Sequence, residues 1–117
     1  MKGYYQLIEG HGGGFVFTLK AGNHETVLQS TVYWSRQAAL DAATEVRHCS
    51  QDASLFQRHE AEDGNHYFLL LNRENKILGR SADYNTRGGL NTGIASVQRN
   101  GPAETFRGLV RRSLTVG

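Results

Sequence analysis

The chain has 117 residues, a formal net charge of +2 and a single cysteine, Cys49. Its length suits one ordinary domain, because a unit of about 50 residues buries too little surface to stand alone without disulfides, metal or a partner. One cysteine excludes an intramolecular disulfide scaffold, the first residues after Lys2 form no apolar signal segment, and no stretch approaches the roughly 18 apolar residues that span a bilayer, so a cytoplasmic protein without membrane contact is expected.

Tyr4 to Glu9 reads as a short strand, ended by Gly10-His11-Gly12-Gly13-Gly14. Phe15 to Lys20 alternates, with Phe15, Phe17 and Leu19 on one face and Val16, Thr18 and Lys20 on the other, the pattern of a half-buried strand. Ala21-Gly22-Asn23-His24 has hairpin chemistry, since Gly and Asn tolerate positive φ, and Glu25 to Ser30 returns as the partner strand. Ser35 is placed to cap a helix whose apolar face is Ala39, Ala42, Ala43, Val46 and Cys49, and Trp34 is expected to staple its start by packing on Ala39.

The same order then recurs. Displaced by 51 residues, Tyr5 to Cys49 overlies Phe56 to Asn100 without a gap. Nine positions are identical, among them Gln6/Gln57, Glu9/Glu60, Phe17/Phe68, Ser30/Ser81, Tyr33/Tyr84 and Val46/Val97. The second copy predicts strands over Leu55 to Glu60, His66 to Leu71 and Lys76 to Ser81, then a helix capped by Thr86 with Leu90, Ile94 and Val97 inward. Glu104 to Val110 has room for one more strand. The expected organisation is a single domain of two repeats, residues 4–50 and 55–101, with residues 104–117 as a C-terminal strand or tail. Its fold class is α+β: one antiparallel sheet with two helices packed on one face.

The pattern from Gly14 to Asn23, followed by Glu25-Thr26-Val27-Leu28, Ser30 and Tyr33 before an alanine-rich helix, resembles the YegP family of small bacterial tandem-repeat proteins. Tyr67-Phe68-Leu69-Leu70, Ser81, Tyr84 and Gly93 to Val97 extend that resemblance through the second copy. It implies a tandem repeat of β3-α(-β) units with terminal strands exchanged between units, and a bacterial origin. It implies no activity, ligand or catalytic residue.

The residues themselves assemble no catalytic constellation. His-Gly-Gly-Gly at 11–14 lacks a companion Gly-x-Ser-x-Gly elbow and is not followed by a phosphate-binding lysine and helix, so a hairpin is the expectation. His59 and His66 flank the Asp63-Gly64 turn and are expected on one sheet face, a pair too few for a metal site. Cys49 has only His48 beside it, about 100° away on a helix, and reads as a packed apolar group. No cofactor or metal is expected.

Three sets remain as candidate sites. Tyr67, Leu69 and Leu71 make their strand apolar on both faces, which suggests either cover by a tail or loop, or a surface for self-association or a protein partner. Tyr33 and Tyr84 would be twin halves of an inter-repeat groove, or core-edge rings whose neighbours Ser30 and Ser81 satisfy turn amides. Arg107, Arg111 and Arg112 carry the whole positive excess and are candidate phosphate contacts, the basis of an alternative reading as a weak nucleic-acid binder. The leading expectation is a non-enzymatic binding or protein-interaction module.

Overall fold

The computed structural model describes residues 2–111. Its strands are β1 (Tyr4–Glu9), β2 (Phe15–Lys20), β3 (Thr26–Ser30), β4 (Phe56–Glu60), β5 (His66–Leu71), β6 (Ile77–Arg80) and β7 (Phe106–Arg111). Helix α1 (Arg36–Cys49) follows β3 and α2 (Arg87–Asn100) follows β6. Both helices start where their caps dictate: Ser35 Oγ accepts the Ala38 amide at 3.0 Å, and Thr86 Oγ1 accepts the Gly89 amide at 2.9 Å. Trp34 does not staple α1. It is 75% exposed, while Ala39 is fully buried against the core without it.

The hairpin turns repeat to the hydrogen bond. Ala21 N–H donates to Glu25 O and His24 N–H to Ala21 O, as Asn72 donates to Lys76 O and Asn75 to Asn72 O. The left-handed residue is His24 (φ 70°) in one turn and Asn75 (φ 66°) in the other, rather than the neighbouring Gly22 or Asn23. In the first turn the Tyr4 hydroxyl lies 2.8 Å from His24 Nδ1, a tertiary contact to the left-handed residue.

The strands form one sheet in the order β4-β5-β6-β3-β2-β1-β7. β3 and β6 pair antiparallel at its centre, so the two β-meanders are related by an approximate two-fold axis through that seam. Each helix lies across both halves, α1 on β2, β5 and β6, and α2 on β2, β3 and β5. Phe17, Leu19, Leu28, Phe68, Leu70, Leu78, Val46, Leu90 and Val97 therefore belong to one cluster, and burying apolar area against the other copy replaces the core that neither could build alone.

The sheet is antiparallel at every pairing except the last, where β7 runs parallel to β1; it is mixed, not wholly antiparallel. Topology explains the exception. The strand after α1 reaches the far half and lies beside its hairpin as β4. The corresponding place for the strand after α2 is already held by β1, so β7 keeps that direction and is displaced one strand outward.

Candidate functional site

Tyr67, Leu69 and Leu71 lie half-buried on the sheet face opposite the helices, because Phe68 and Leu70 alternate with them and point fully inward. Tyr67 is held from both sides: the His59 ring stacks on it at 5.2 Å, and the Arg80 guanidinium sits 3.9 Å from its centroid. Arg80 also pairs with Asp83 at 3.2 Å, and His59 Nε2 lies 2.7 Å from Gln57 Oε1. This face is thus an ordered polar and aromatic surface with Leu69 set between Gln57 and Arg80 in register.

The two histidines expected together are apart. β4 pairs Glu60 with His66 and His59 with Tyr67, so His59 and His66 point to opposite faces. The five-residue turn, closed by Gly64 N–H on Ala61 O and Ala61 N–H on Asn65 O, sets that register.

Tyr33 and Tyr84 do not form one groove. Each makes an isolated bridge to the first residue of its copy's central strand, Tyr33 to Phe15 and Tyr84 to His66. The three antiparallel steps between β2 and β5 put those residues at opposite ends of the sheet. Both rings instead stack on core phenylalanines, Tyr33 on Phe17 and Tyr84 on Phe68, each at 6.4 Å. The serines serve amides: Ser30 Oγ accepts the Phe17 amide and Ser81 Oγ the Phe68 amide, both at 2.9 Å, and each hydroxyl donates to the next residue's carbonyl.

Arg107 is exposed on β7 with its guanidinium 4.0 Å from the Tyr4 ring centroid. Arg111 ends the strand, and Arg112 lies outside the described residues. Cys49 is buried at the end of α1. Burial raises its thiol pKa, Glu45 and Asp52 add to the rise and Arg73 opposes it, so its surroundings disfavour the thiolate a nucleophile needs.

Two features lie outside the sequence-level candidates. Among the described residues, Trp34 (75% exposed) and Val32 (54%) are the most exposed large apolar side chains, and both rest on the bare backbone of Gly14, where a β-carbon would stand 2.8 Å from Val32 Cγ1 and 3.3 Å from Trp34 Cζ3. Their repeat equivalents are Asn85 and Asp83, which was the available signal.

The other is a cleft of about 860 Å³ between the β2–β3 turn, α2 and the segment leading to β7. Its counterpart in the other half is closed by side chains: Asn72 Nδ2 donates to Glu45 Oε2 at 3.0 Å, and Arg73 pairs with Asp52 at 2.9 Å. The four equivalent residues, Ala21, Ser96, Gly22 and Ala103, are too small to meet and all line the cleft. Lys2, Arg99, Glu25 and Glu104 border it as well, so it presents charges of both signs.

The profile named Domain of unknown function (DUF1508) matches this chain twice, over residues 11–57 and 61–107. The chain belongs to the YegP (DUF1508) family. Each family unit begins just before a hairpin and ends in the strand after the helix, β4 in one case and β7 in the other. Among relatives, the UPF0339 protein YegP of Escherichia coli is 36% identical over 107 residues, covering 92% of this chain and 97% of its own. A UPF0339 protein of Bordetella pertussis is 38% identical over 102 residues, 87% and 91% of the two chains. The solution NMR structure of E. coli YegP, described as a protein of unknown function, superposes with a TM-score of 0.89 at 35% identity over 97% of each chain. That of a Shewanella oneidensis UPF0339 protein gives 0.88 at 30% identity, over 95% and 93%. No specific function is known for the family. Among the described residues, no helix is long and apolar enough to cross a membrane.

Proposed function

We propose that this chain acts as a non-enzymatic interaction module of the bacterial cytoplasm. The observation that carries the reading is the Trp34–Val32 patch: a tryptophan exposed beside a valine on glycine backbone is the kind of anchor that dominates protein interfaces. The Tyr67, Leu69 and Leu71 face offers a second contact area. The non-enzymatic part rests on the placement of the candidate groups, since Cys49 is buried with a raised pKa and His59 is engaged with Tyr67 and Gln57. The cytoplasmic part rests on the single unpaired cysteine.

Affinity capture from a bacterial lysate with the wild type, Trp34→Ser, Leu69→Lys and Leu71→Lys tests this reading. A partner retained by the wild type and lost from folded Trp34→Ser or a folded leucine variant supports it, whereas identical capture by all four eliminates these surfaces. A second reading, weak nucleic-acid binding through Arg107, Arg111 and Arg112, draws on the exposed guanidinium of Arg107. It requires oligonucleotide affinity that falls steeply with salt, with a slope reduced by roughly 0.7–0.9 for each arginine replaced by serine.

A further inference from the structure

β4 stands at the end of the sheet, and among the described residues no strand pairs with its outer edge. Its backbone direction is readable from its neighbour. Phe68 uses both its N–H and its C=O toward Ser81, so Arg58, directly opposite Phe68, points its own N–H and C=O away from β5 into the open. An unpaired edge of this kind is a template for strand addition.

The two-fold relation between the halves shows what fits there. The equivalent edge is that of β1, and it is occupied: β7 pairs with it in parallel, with Phe106 opposite Tyr5, Arg107 opposite Gln6, Val110 opposite Ile8 and Arg111 opposite Glu9. Carried across the repeat, the receiving positions become Phe56, Gln57, His59 and Glu60, so the aromatic ring, the glutamine and the glutamate that face β7 all recur on β4. Phe106 stacks on the Tyr5 ring at 6.0 Å with planes 8° apart. Phe56 makes the same edge-on contact to Phe68 that Tyr5 makes to Phe17, at 5.6 and 5.9 Å, but has no counterpart of the Phe106 stack among the described contacts. A hollow of about 450 Å³ lies beside β4, lined by Arg58, Leu90 and Asn91 among others, where side chains of an added strand would enter.

We infer that the outer edge of β4 is a docking site for an extended segment of a partner protein, added parallel to β4, with an aromatic residue opposite Phe56 and a basic residue opposite Glu60. The main-chain bonds come from Arg58 and its alternate neighbours, and the selectivity comes from the two side-chain positions. The charges of Arg58 and Glu60 discourage indiscriminate edge pairing while Glu60 favours a basic strand. The inference rests on the interaction reading above but places the contact on a different surface, so Trp34→Ser and β4 variants fail independently.

The probe is a synthetic peptide of residues 104–111 with blocked ends, titrated into the isotope-labelled intact chain and followed by amide chemical shifts. Saturable shifts at residues 56–60 are expected. Arg58→Pro should weaken binding at least tenfold while preserving the fold, because a proline whose N–H faces outward costs an edge strand no ladder bond. Glu60→Lys should weaken it about tenfold, the loss of one opposed charge pair at a partly desolvated edge. Should Arg58→Pro unfold the chain, a backbone N-methylated peptide with the wild-type protein reads the same bonds. No saturable shift at about 1 mM peptide, shifts confined to residues 4–9, or binding indifferent to all of these changes would overturn the inference. A dimer of the free chain abolished by Arg58→Pro would assign the edge to a second copy and overturn the partner assignment.

Discussion

Leu28 occupies the space above Gly79: a β-carbon on Gly79 would stand 2.8 Å from Leu28 Cγ, 3.0 Å from Leu28 Cδ2 and 2.9 Å from Gln29 O. The two are equivalent positions of the repeat, meeting where β3 and β6 join the halves. One large and one absent side chain share a volume that two leucines could not.

Gly79→Ala should therefore destabilise the chain by about 1–3 kcal/mol through overpacking, outweighing the roughly 0.4–1 kcal/mol that a less flexible unfolded chain contributes. Leu28→Ala should cost about 2–5 kcal/mol, and the double variant less than the sum, because the new methyl fills part of the cavity. Urea unfolding of the four proteins measures this. A neutral Gly79→Ala would show that the seam yields freely.

Ser30→Ala and Ser81→Ala each strip a buried strand amide, that of Phe17 or Phe68, of its acceptor. Each should cost about 1–3 kcal/mol, the price of a buried donor left unmade. The serines share no hydrogen-bond partner, but β3 and β6 pair beside them with Ser30 opposite Gly79, so additivity of the double variant within about 0.5 kcal/mol would show that the two bonds act independently across the seam. Exchange of the Phe17 and Phe68 amides with solvent deuterium should accelerate selectively.

Tyr5 is 1% exposed and its hydroxyl donates to Gly101 O at 2.6 Å. Burial holds its phenol pKa well above the ordinary value near 10, with Arg47 opposing, and burial aided by Glu25 raises that of Tyr84. A folded-state pKa above the unfolded one means that the stabilisation is complete below about pH 10 and is lost as pH rises through the folded value. Stability should fall steeply above about pH 10. Tyr5→Phe should lower neutral-pH stability by about 1 kcal/mol and flatten that alkaline slope. Equal slopes for the two proteins would remove Tyr5 from the account.

The open cleft should close when the missing contact is rebuilt. Ala21→Asn together with Ser96→Glu recreates the Asn72–Glu45 hydrogen bond in the other half and should stabilise by about 0.5–1.5 kcal/mol, with neither single change matching the pair. Thermal unfolding of the cycle decides it. Additive or destabilising behaviour would mean that the halves are not superposable at that place.

Much of the architecture is legible in the sequence. The strand boundaries of β1, β2 and β5, both helix caps and the inward faces of α1 and α2 follow from alternation, 3.6-residue spacing and Ser or Thr chemistry, all of them short-range effects. The serine and tyrosine pairs were readable as scaffold, because a repeat must preserve what makes its local bonds. Trp34 departs from the expected staple, since a staple depends on the path of the preceding chain, and here that path carries Trp34 onto Gly14. His59 and His66 fall on opposite faces rather than the expected one, because strand register depends on how many residues the turn consumes.

By itself the sequence determined the repeat, the elements of each copy and the family, because these rest on local periodicity and on matched positions 51 residues apart. Tertiary structure alone decided that β7 runs parallel beside β1, that Tyr33 and Tyr84 part to opposite ends, that one cleft is closed and its mate open, and that no strand among the described residues pairs with the outer edge of β4. Those outcomes depend on how the two copies compete for the same places across a two-fold seam. No stretch of a single copy encodes that competition.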